Sequence, residues 1–282
     1  MTRHLGYGLA LLLAVGSSLA LPTASPGAMV LYGSSNAGDL FVVNLVTGAG
    51  FRVATLPDPT TEIECDPAST ALAPICYLQL PDGAFEIEQF DPYTGQAIGG
   101  RVADGFSFTG LEYVGAVLYG TAISSSNGPS SLRTLNPVTG ASVLIGATGV
   151  GPISGLAFDV GANVMYGIAG GPGPAKLYTI DLTTGAATPV GNTGIQAGSL
   201  QFGPDGKLYA GTTGSSGGDI YRIDPATGTG TLVGSTGFDS VTGLTLAPRE
   251  VLAPAPVLSD WGMVLAVLSL ALIAIRRLTS TR

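Results

Sequence analysis

The sequence predicts an all-β chain whose main body is a β-propeller of about five four-stranded blades. Three observations carry that expectation. A strand-and-turn unit recurs as Asp39 to Gly48 (DLFVVNLVTG), Ala84 to Gly95 (AFEIEQFDPYTG), Ser131 to Gly140 (SLRTLNPVTG), Lys176 to Gly185 (KLYTIDLTTG) and Asp219 to Gly228 (DIYRIDPATG). The closing glycines of these units stand 43 to 47 residues apart, the period of a repeat architecture. Finally, 43 glycines, 19 prolines and only 11% charged residues suit many short strands and turns, while 45% hydrophobic residues provide a core. The glycines keep no three-residue period, which excludes collagen, and the apolar content excludes a disordered chain.

Each unit divides into four short strands. Gly155-Leu156-Ala157-Phe158-Asp159 is followed by Val164-Met165-Tyr166-Gly167, then Lys176 to Asp181, then Ala187 to Val190. The next unit copies it with Ser199 to Phe202, Lys207 to Ala210, Asp219 to Asp224 and Thr231 to Val233. Tyr32, Tyr77, Tyr119, Tyr166 and Tyr209 mark the second strand of the five units. A four-stranded sheet cannot bury both faces alone, so blades must stack and the ring must close. The first unit lacks a first strand, because it begins at Met29-Val30-Leu31-Tyr32, and the last carries a spare one, Gly243-Leu244-Thr245-Leu246. That spare strand is expected to complete the N-terminal blade. An open β-solenoid is the alternative architecture.

The repeated turn has its own chemistry. Asn44, Asp91, Asn136, Asp181 and Asp224 open it and glycine closes it, so the side chains read as Asx-turn acceptors rather than as a ring of metal ligands. Three polar or Gly/Pro-rich stretches, Ser124 to Ser131, Gly170 to Pro174 and Gly214 to Gly218, join second to third strands and should share one rim. Stretches of this composition read first as solvated linkers; binding at that rim is the alternative.

The two ends address the chain. Arg3 and His4, the apolar run Leu9 to Val15 and Ser18-Leu19-Ala20 read as a signal peptide, residues 1–20. The propeller domain spans 28–248, and 249–256, ending Ala253-Pro254-Ala255-Pro256, is a stiff spacer. Val257 to Ile275 is then a 19-residue apolar run with one acid, close to the ~20 residues that cross a bilayer. Arg276 and Arg277 follow it and should stay cytoplasmic. Pro256, Leu258, Ser259, Asp260, Trp261 and Gly262, the run and the pair Arg276-Arg277 together resemble the IPTL-CTERM class of bacterial C-terminal sorting signals. Ala255 and Val257 depart from its pattern, and the likeness covers residues 255–282. It implies a Gram-negative exported protein held in the inner membrane and processed by an exosortase-like enzyme. The repeats themselves resemble those of uncharacterised exported bacterial propeller-like proteins, whose shared feature is a scaffold.

Little catalytic chemistry is visible. The single histidine, His4, lies in the expected signal peptide, and no phosphate-binding loop is present. Between Ala28 and Ala255 seven cations face 18 carboxylates, a surface that repels nucleic acid. In the second unit Glu62 and Glu64 alternate on one strand and Glu86 and Glu88 on another, so each pair shares a face. If they converge, these four acids suit Ca²⁺ or acid–base work; solvated strand faces are the plainer reading. Cys65 and Cys76 align with Phe158 and Met165 on paired strands, and in an oxidising compartment they are expected to form a disulfide. The functional expectation is a membrane-sorted periplasmic or surface module that binds a glycan or protein, or serves as structure, without catalysis and without an obligatory cofactor. The alternative is a carboxylate-dependent, glycan-directed extracytoplasmic hydrolase or lyase.

Overall fold

The computed structural model describes residues 28–69, 74–80, 86–103, 105–123, 128–171, 173–214 and 217–249. The expected signal peptide, sorting motif and apolar run 257–275 lie outside them. The described residues contain no α-helix, and so none long and apolar enough to cross a membrane.

Nineteen strands form five antiparallel sheets. The first blade has the order β19 (Gly243–Pro248), β1 (Met29–Ser34), β2 (Asp39–Val43), β3 (Gly50–Thr55). The second is β4 (Glu62–Cys65), β5 (Cys76–Gln79), β6 (Ile87–Phe90). The third runs β7 (Ser107–Val114), β8 (Val117–Ile123), β9 (Ser131–Leu135), β10 (Ser142–Ala147). The fourth is β11 (Ile153–Asp159), β12 (Val164–Gly171), β13 (Gly173–Ile180), β14 (Ala187–Asn192). The fifth is β15 (Ala197–Phe202), β16 (Leu208–Thr212), β17 (Asp219–Ile223), β18 (Gly230–Ser235). The first strand of each blade touches the first strands of both neighbours, in the cycle β4, β7, β11, β15, β19 and back to β4. The fold is therefore a closed five-bladed propeller, and the solenoid alternative is excluded.

Closure comes from the spare strand. β19 pairs antiparallel with β1 from Met29↔Pro248 to Ser34↔Gly243. The hydroxyls of Ser34 and Thr242 meet at 3.1 Å, and the Asn36 N–H donates to Ser240 Oγ at 2.8 Å. The core is correspondingly divided into five apolar clusters, one in each seam between blades. Ile63, Cys65 and Leu78 pack against Tyr32, Leu40 and Val42 between the second and first blades. Phe41 and Leu31 meet Tyr209 and Ile220 between the first and the fifth. Each large side chain so buried contributes about 1.5–3 kcal/mol, so stability is spread around the ring.

The repeated turn behaves as its residue types require. Asn44 Oδ1 accepts the Val46 and Thr47 N–H groups at 2.9 and 3.2 Å, and Asp181 Oδ1 accepts those of Thr183 and Thr184 at 2.7 and 2.9 Å. All five closing glycines have φ between +71° and +79°, where an L side chain is strained. The turn also docks on the neighbouring blade. A Cβ on Gly234 of β18 would lie 2.0 Å from the Thr47 carbonyl oxygen, so the outermost strand must be bare where the next turn lands.

The second blade departs from the four-stranded expectation. Its fourth position is reduced to two isolated bridges, Ile87↔Val102 and Phe90↔Ala97. Gly99 and Gly100 interrupt the stretch between them, and glycine pairs supply neither side-chain packing nor a preference for extended backbone. The same blade carries the disulfide Cys65–Cys76, on directly opposed residues of β4 and β5, where the fourth blade opposes Phe158 and Met165.

Candidate functional site

Five homologous stretches of the inner strands meet on the propeller axis: Gly243 to Leu246, Glu62 to Cys65, Gly110 to Tyr113, Gly155 to Phe158 and Ser199 to Phe202. The second position of every stretch, Leu or Ile, is buried in a seam. Period two then turns the first and third positions to the opposite face. The third positions form a ring of Thr245, Glu64, Glu112, Ala157 and Gln201. At the first positions stand Glu62, Ser199 and three glycines, and a Cβ on Gly243 or Gly155 would lie 2.6 Å from the backbone nitrogen of Ile63 or Leu200 in the next blade.

The ring is wired from strand to strand. Thr245 Oγ1 accepts the Cys65 N–H of the next blade at 2.9 Å and donates to Glu64 Oε2 at 2.9 Å. Glu64 Oε1 accepts the Tyr113 N–H of the blade beyond at 3.2 Å. Glu112 repeats the move with the Phe158 backbone and takes a bond from Gln201 Nε2 at 3.0 Å across the axis. Ala157 has no polar atom to extend the series, and the Phe202 N–H it would have reached turns back to Gln201 Oε1 at 2.7 Å. Glu62 Oε1 accepts the Ile63 N–H at 3.0 Å, deeper along the axis. The polar side chains thus saturate backbone donors that β-ladders leave open at the inner edge.

Glu62, Glu64 and Glu112 are 2%, 3% and 7% exposed, and among the described residues no cation is paired with them. Burial is the main cause that raises all three pKa values, with repulsion from neighbouring carboxylates (Glu64 and Glu112 on Glu62, Asp66 on Glu64, Glu64 on Glu112) adding to it. The Glu64 carboxyl is pushed up to about 8 by burial, against the lowering effect of its Thr245, Tyr113 and Cys65 partners. Burial thus favours the neutral form of all three carboxyls. Burial likewise raises the Tyr113 and Tyr77 phenols, which bond to each other beside this ring.

Above Glu64 and Glu112 opens a cavity of about 520 Å³. Its walls are Met29, Leu246, Tyr113, Phe158 and Phe202, and the hairpins at Gly115, Gly161 and Gly206 form its lip. Neutral carboxyls, one amide and aromatic walls suit an uncharged ligand that offers hydrogen-bond acceptors and an apolar face.

The four glutamates expected to act together are divided. Glu62 and Glu64 lie at the axis, whereas Glu86 and Glu88 meet Arg101, whose Nη1 is 3.6 Å from Glu86 Oε2 and whose Nε donates to Glu88 Oε1 at 3.2 Å. Asp58 pairs with the same guanidinium. Plain solvated faces are overturned for Glu62, Glu64 and Glu88, all buried. Among the described residues no group of three or more His, Cys, Asp or Glu is placed to hold a metal ion. The ends of β8, β12 and β16, from which the Gly/Pro and serine-rich stretches depart, lie on the rim opposite the cavity, and parts of those stretches fall outside the described residues. Sequence reading missed Glu112, Gln201 and Thr245. The signal was the repeat itself, since aligning the stretches puts them in one column with Glu64.

No protein-family model matches the chain, and no curated protein matches it in sequence. Among solved structures it is similar to a chain of a nidogen–laminin complex, at 14% identity over 78% of this chain and 81% of that one, with a TM-score of 0.52. A luciferin-regenerating enzyme (13% identity, 77% and 76% covered, TM-score 0.43) and a Myxococcus xanthus glutaminyl cyclase (16%, 76% and 73%, 0.43) are more distant likenesses. At these identities the likeness is one of fold, and the fold is the β-propeller.

Proposed function

We propose that the chain is an exported, membrane-sorted β-propeller that works as a non-enzymatic binding or structural module. The observation that carries this reading is the use made of the axial acids. Glu64 and Glu112 each accept a backbone N–H of the next blade, so their polar atoms hold the ring together. Acid–base catalysis by two carboxyls needs their pKa values pushed apart; here burial pushes all three in one direction. The cavity above them is the place for a ligand, for which we propose a glycan or protein group presenting neutral polar atoms. The signal peptide, the apolar run and the IPTL-CTERM likeness support the inner membrane of a Gram-negative cell, facing the periplasm, and processing by an exosortase-like enzyme.

A second reading is a glycan-directed hydrolase or lyase, favoured by one observation: a carboxyl raised to about 8 lines an aromatic-walled cavity. Glu64→Gln and Glu112→Gln separate the two. Both amides keep an acceptor for the neighbouring N–H, so folding and retention on a glycan array are expected to persist. Loss of a measurable polysaccharide-cleaving activity in folded Glu64→Gln would establish the enzyme instead. Intact-mass measurement of the native protein from membrane and periplasmic fractions tests the sorting: a chain retaining residues 1–20 and found in the cytosol would end the export reading.

A further inference from the structure

The described chain enters and leaves the propeller at one point. Met29 opposes Pro248, the Arg249 N–H donates to the Ala28 carbonyl at 2.8 Å, and the Tyr93 hydroxyl of the second blade donates to the Pro248 carbonyl at 3.0 Å. The exit is therefore anchored by two blades. It lies where the other blades carry the hairpin between first and second strands, on the rim where the axial cavity opens.

That rim is also where apolar side chains stand in solvent. Val46 and Val138, at the tips of repeated turns, are 87% and 75% exposed, and Val160, at the β11–β12 hairpin, is 84% exposed. Val117 and Met29 are exposed on the same rim. Among the described residues the opposite rim exposes no large hydrophobic side chain; the remaining ones are on the outer strand positions of the blades. Six aspartates share the valine-bearing rim (Asp66, Asp91, Asp159, Asp181, Asp205 and Asp224), with Lys207 and Arg249 as cations there. Asp181, bonded by Thr183, and Asp224, bonded by the Ala226 N–H, are held below the usual carboxylate range. Such a rim disfavours anionic headgroups and tolerates zwitterionic ones.

We propose that this rim faces a zwitterionic bilayer surface, so that the axial cavity opens toward groups presented at that surface and the opposite rim faces away. The inference rests on the membrane reading above. Residues 250–256 join the exit to the apolar run, and seven residues of Pro-rich chain reach about 22 Å at ~3.1 Å per residue. The opposite rim lies an inner-strand length away, about 20 Å or more at ~3.3 Å per residue, so it cannot turn to the bilayer without exhausting the tether. Singly exposed valines need no explanation. Their confinement to the tethered rim is the feature that calls for one.

The test uses the full chain reconstituted in phosphatidylcholine vesicles that carry a spin label on the lipid headgroup. A fluorophore is attached at Val46→Cys, Val138→Cys or Val160→Cys, and on the opposite rim at Ala37→Cys or Gln196→Cys, all exposed positions. Loss of emission at 46, 138 and 160 with full emission at 37 and 196 is the expected result. Equal emission on both rims, or loss at 37 and 196, overturns the orientation. A chain that fails to float with the vesicles ends the membrane reading itself. Shielding of the three valine positions in detergent at twice the monomer mass would show a second copy as the occupant and overturn the lipid assignment.

Discussion

Two glutamate pairs of the second blade have the same spacing and opposite fates. Glu62 and Glu64 lie on the innermost strand, Glu86 and Glu88 at the third. At the axis five strands converge and bury the carboxyls among backbone N–H groups, a hydroxyl, an amide and other acids, so their pKa values are raised. Two strands outward, Arg101 reaches both members of the other pair, and Asp58 joins them. Spacing decides that two acids share a face; radial position decides the dielectric and the partner.

The largest test of this contrast is truncation. Glu64→Ala leaves the Tyr113 N–H and the Thr245 hydroxyl without their buried partner, and is expected to cost about 3 kcal/mol in a denaturant titration, given ~1–3 kcal/mol for each buried group left unpaired. Glu86→Ala, whose partner Arg101 keeps two other acids, should cost well under 1 kcal/mol. Similar losses for the two would abolish the distinction between axis and edge.

A second test is pH. An acid whose folded pKa is raised holds a proton that the unfolded chain has released, so stability falls as pH rises between the two values. For Glu64 that window runs from about 4.5 to about 8. The melting temperature of the native protein is expected to fall from pH 5 to pH 8, and Glu64→Gln should flatten the fall while Glu86→Gln leaves it unchanged. A melting temperature that rises across this window would show the axial acids to be ionised and paired.

The smallest expected effect is at the edge. Arg101→Gln removes the cation that balances Glu86, Glu88 and Asp58, and since the Arg101 side chain is 36% exposed, the loss should be about 1 kcal/mol. It should shrink in high salt, which screens exposed charge. The response of Glu64→Ala, by contrast, should not depend on salt. Thermal melts of both variants across a salt series check the pair.

Much of the fold was legible in the sequence because a propeller is made of local repeats. The turn Asp224 to Gly228 specifies itself through an Asx acceptor and a left-handed glycine. Tyr32, Tyr77, Tyr119, Tyr166 and Tyr209 all fall on second strands, and Gly243 to Leu246 completes the first blade. Cys65 and Cys76 were found by alignment with Phe158 and Met165, since the register of one hairpin is that of all. The loss of the fourth strand in the second blade was not foreseen, because the repeat period alone predicts a strand where Gly99 and Gly100 interrupt it. The candidate site was half legible: Glu62 and Glu64 were singled out, but Glu112, Gln201 and Thr245, which share their axis, were not.

What the sequence determined by itself, then, is what lies within one period: strands, turns, blade number, the closing strand and the disulfide. These depend on neighbours in the chain or on the equivalent residue one repeat away. The tertiary structure alone decided that Thr245, Glu64, Glu112 and Gln201, up to 181 residues apart, share one buried axis, and that Glu86 and Glu88 do not join them. Protonation follows from the solvent and charges around a group, and those surroundings exist only once the ring has closed.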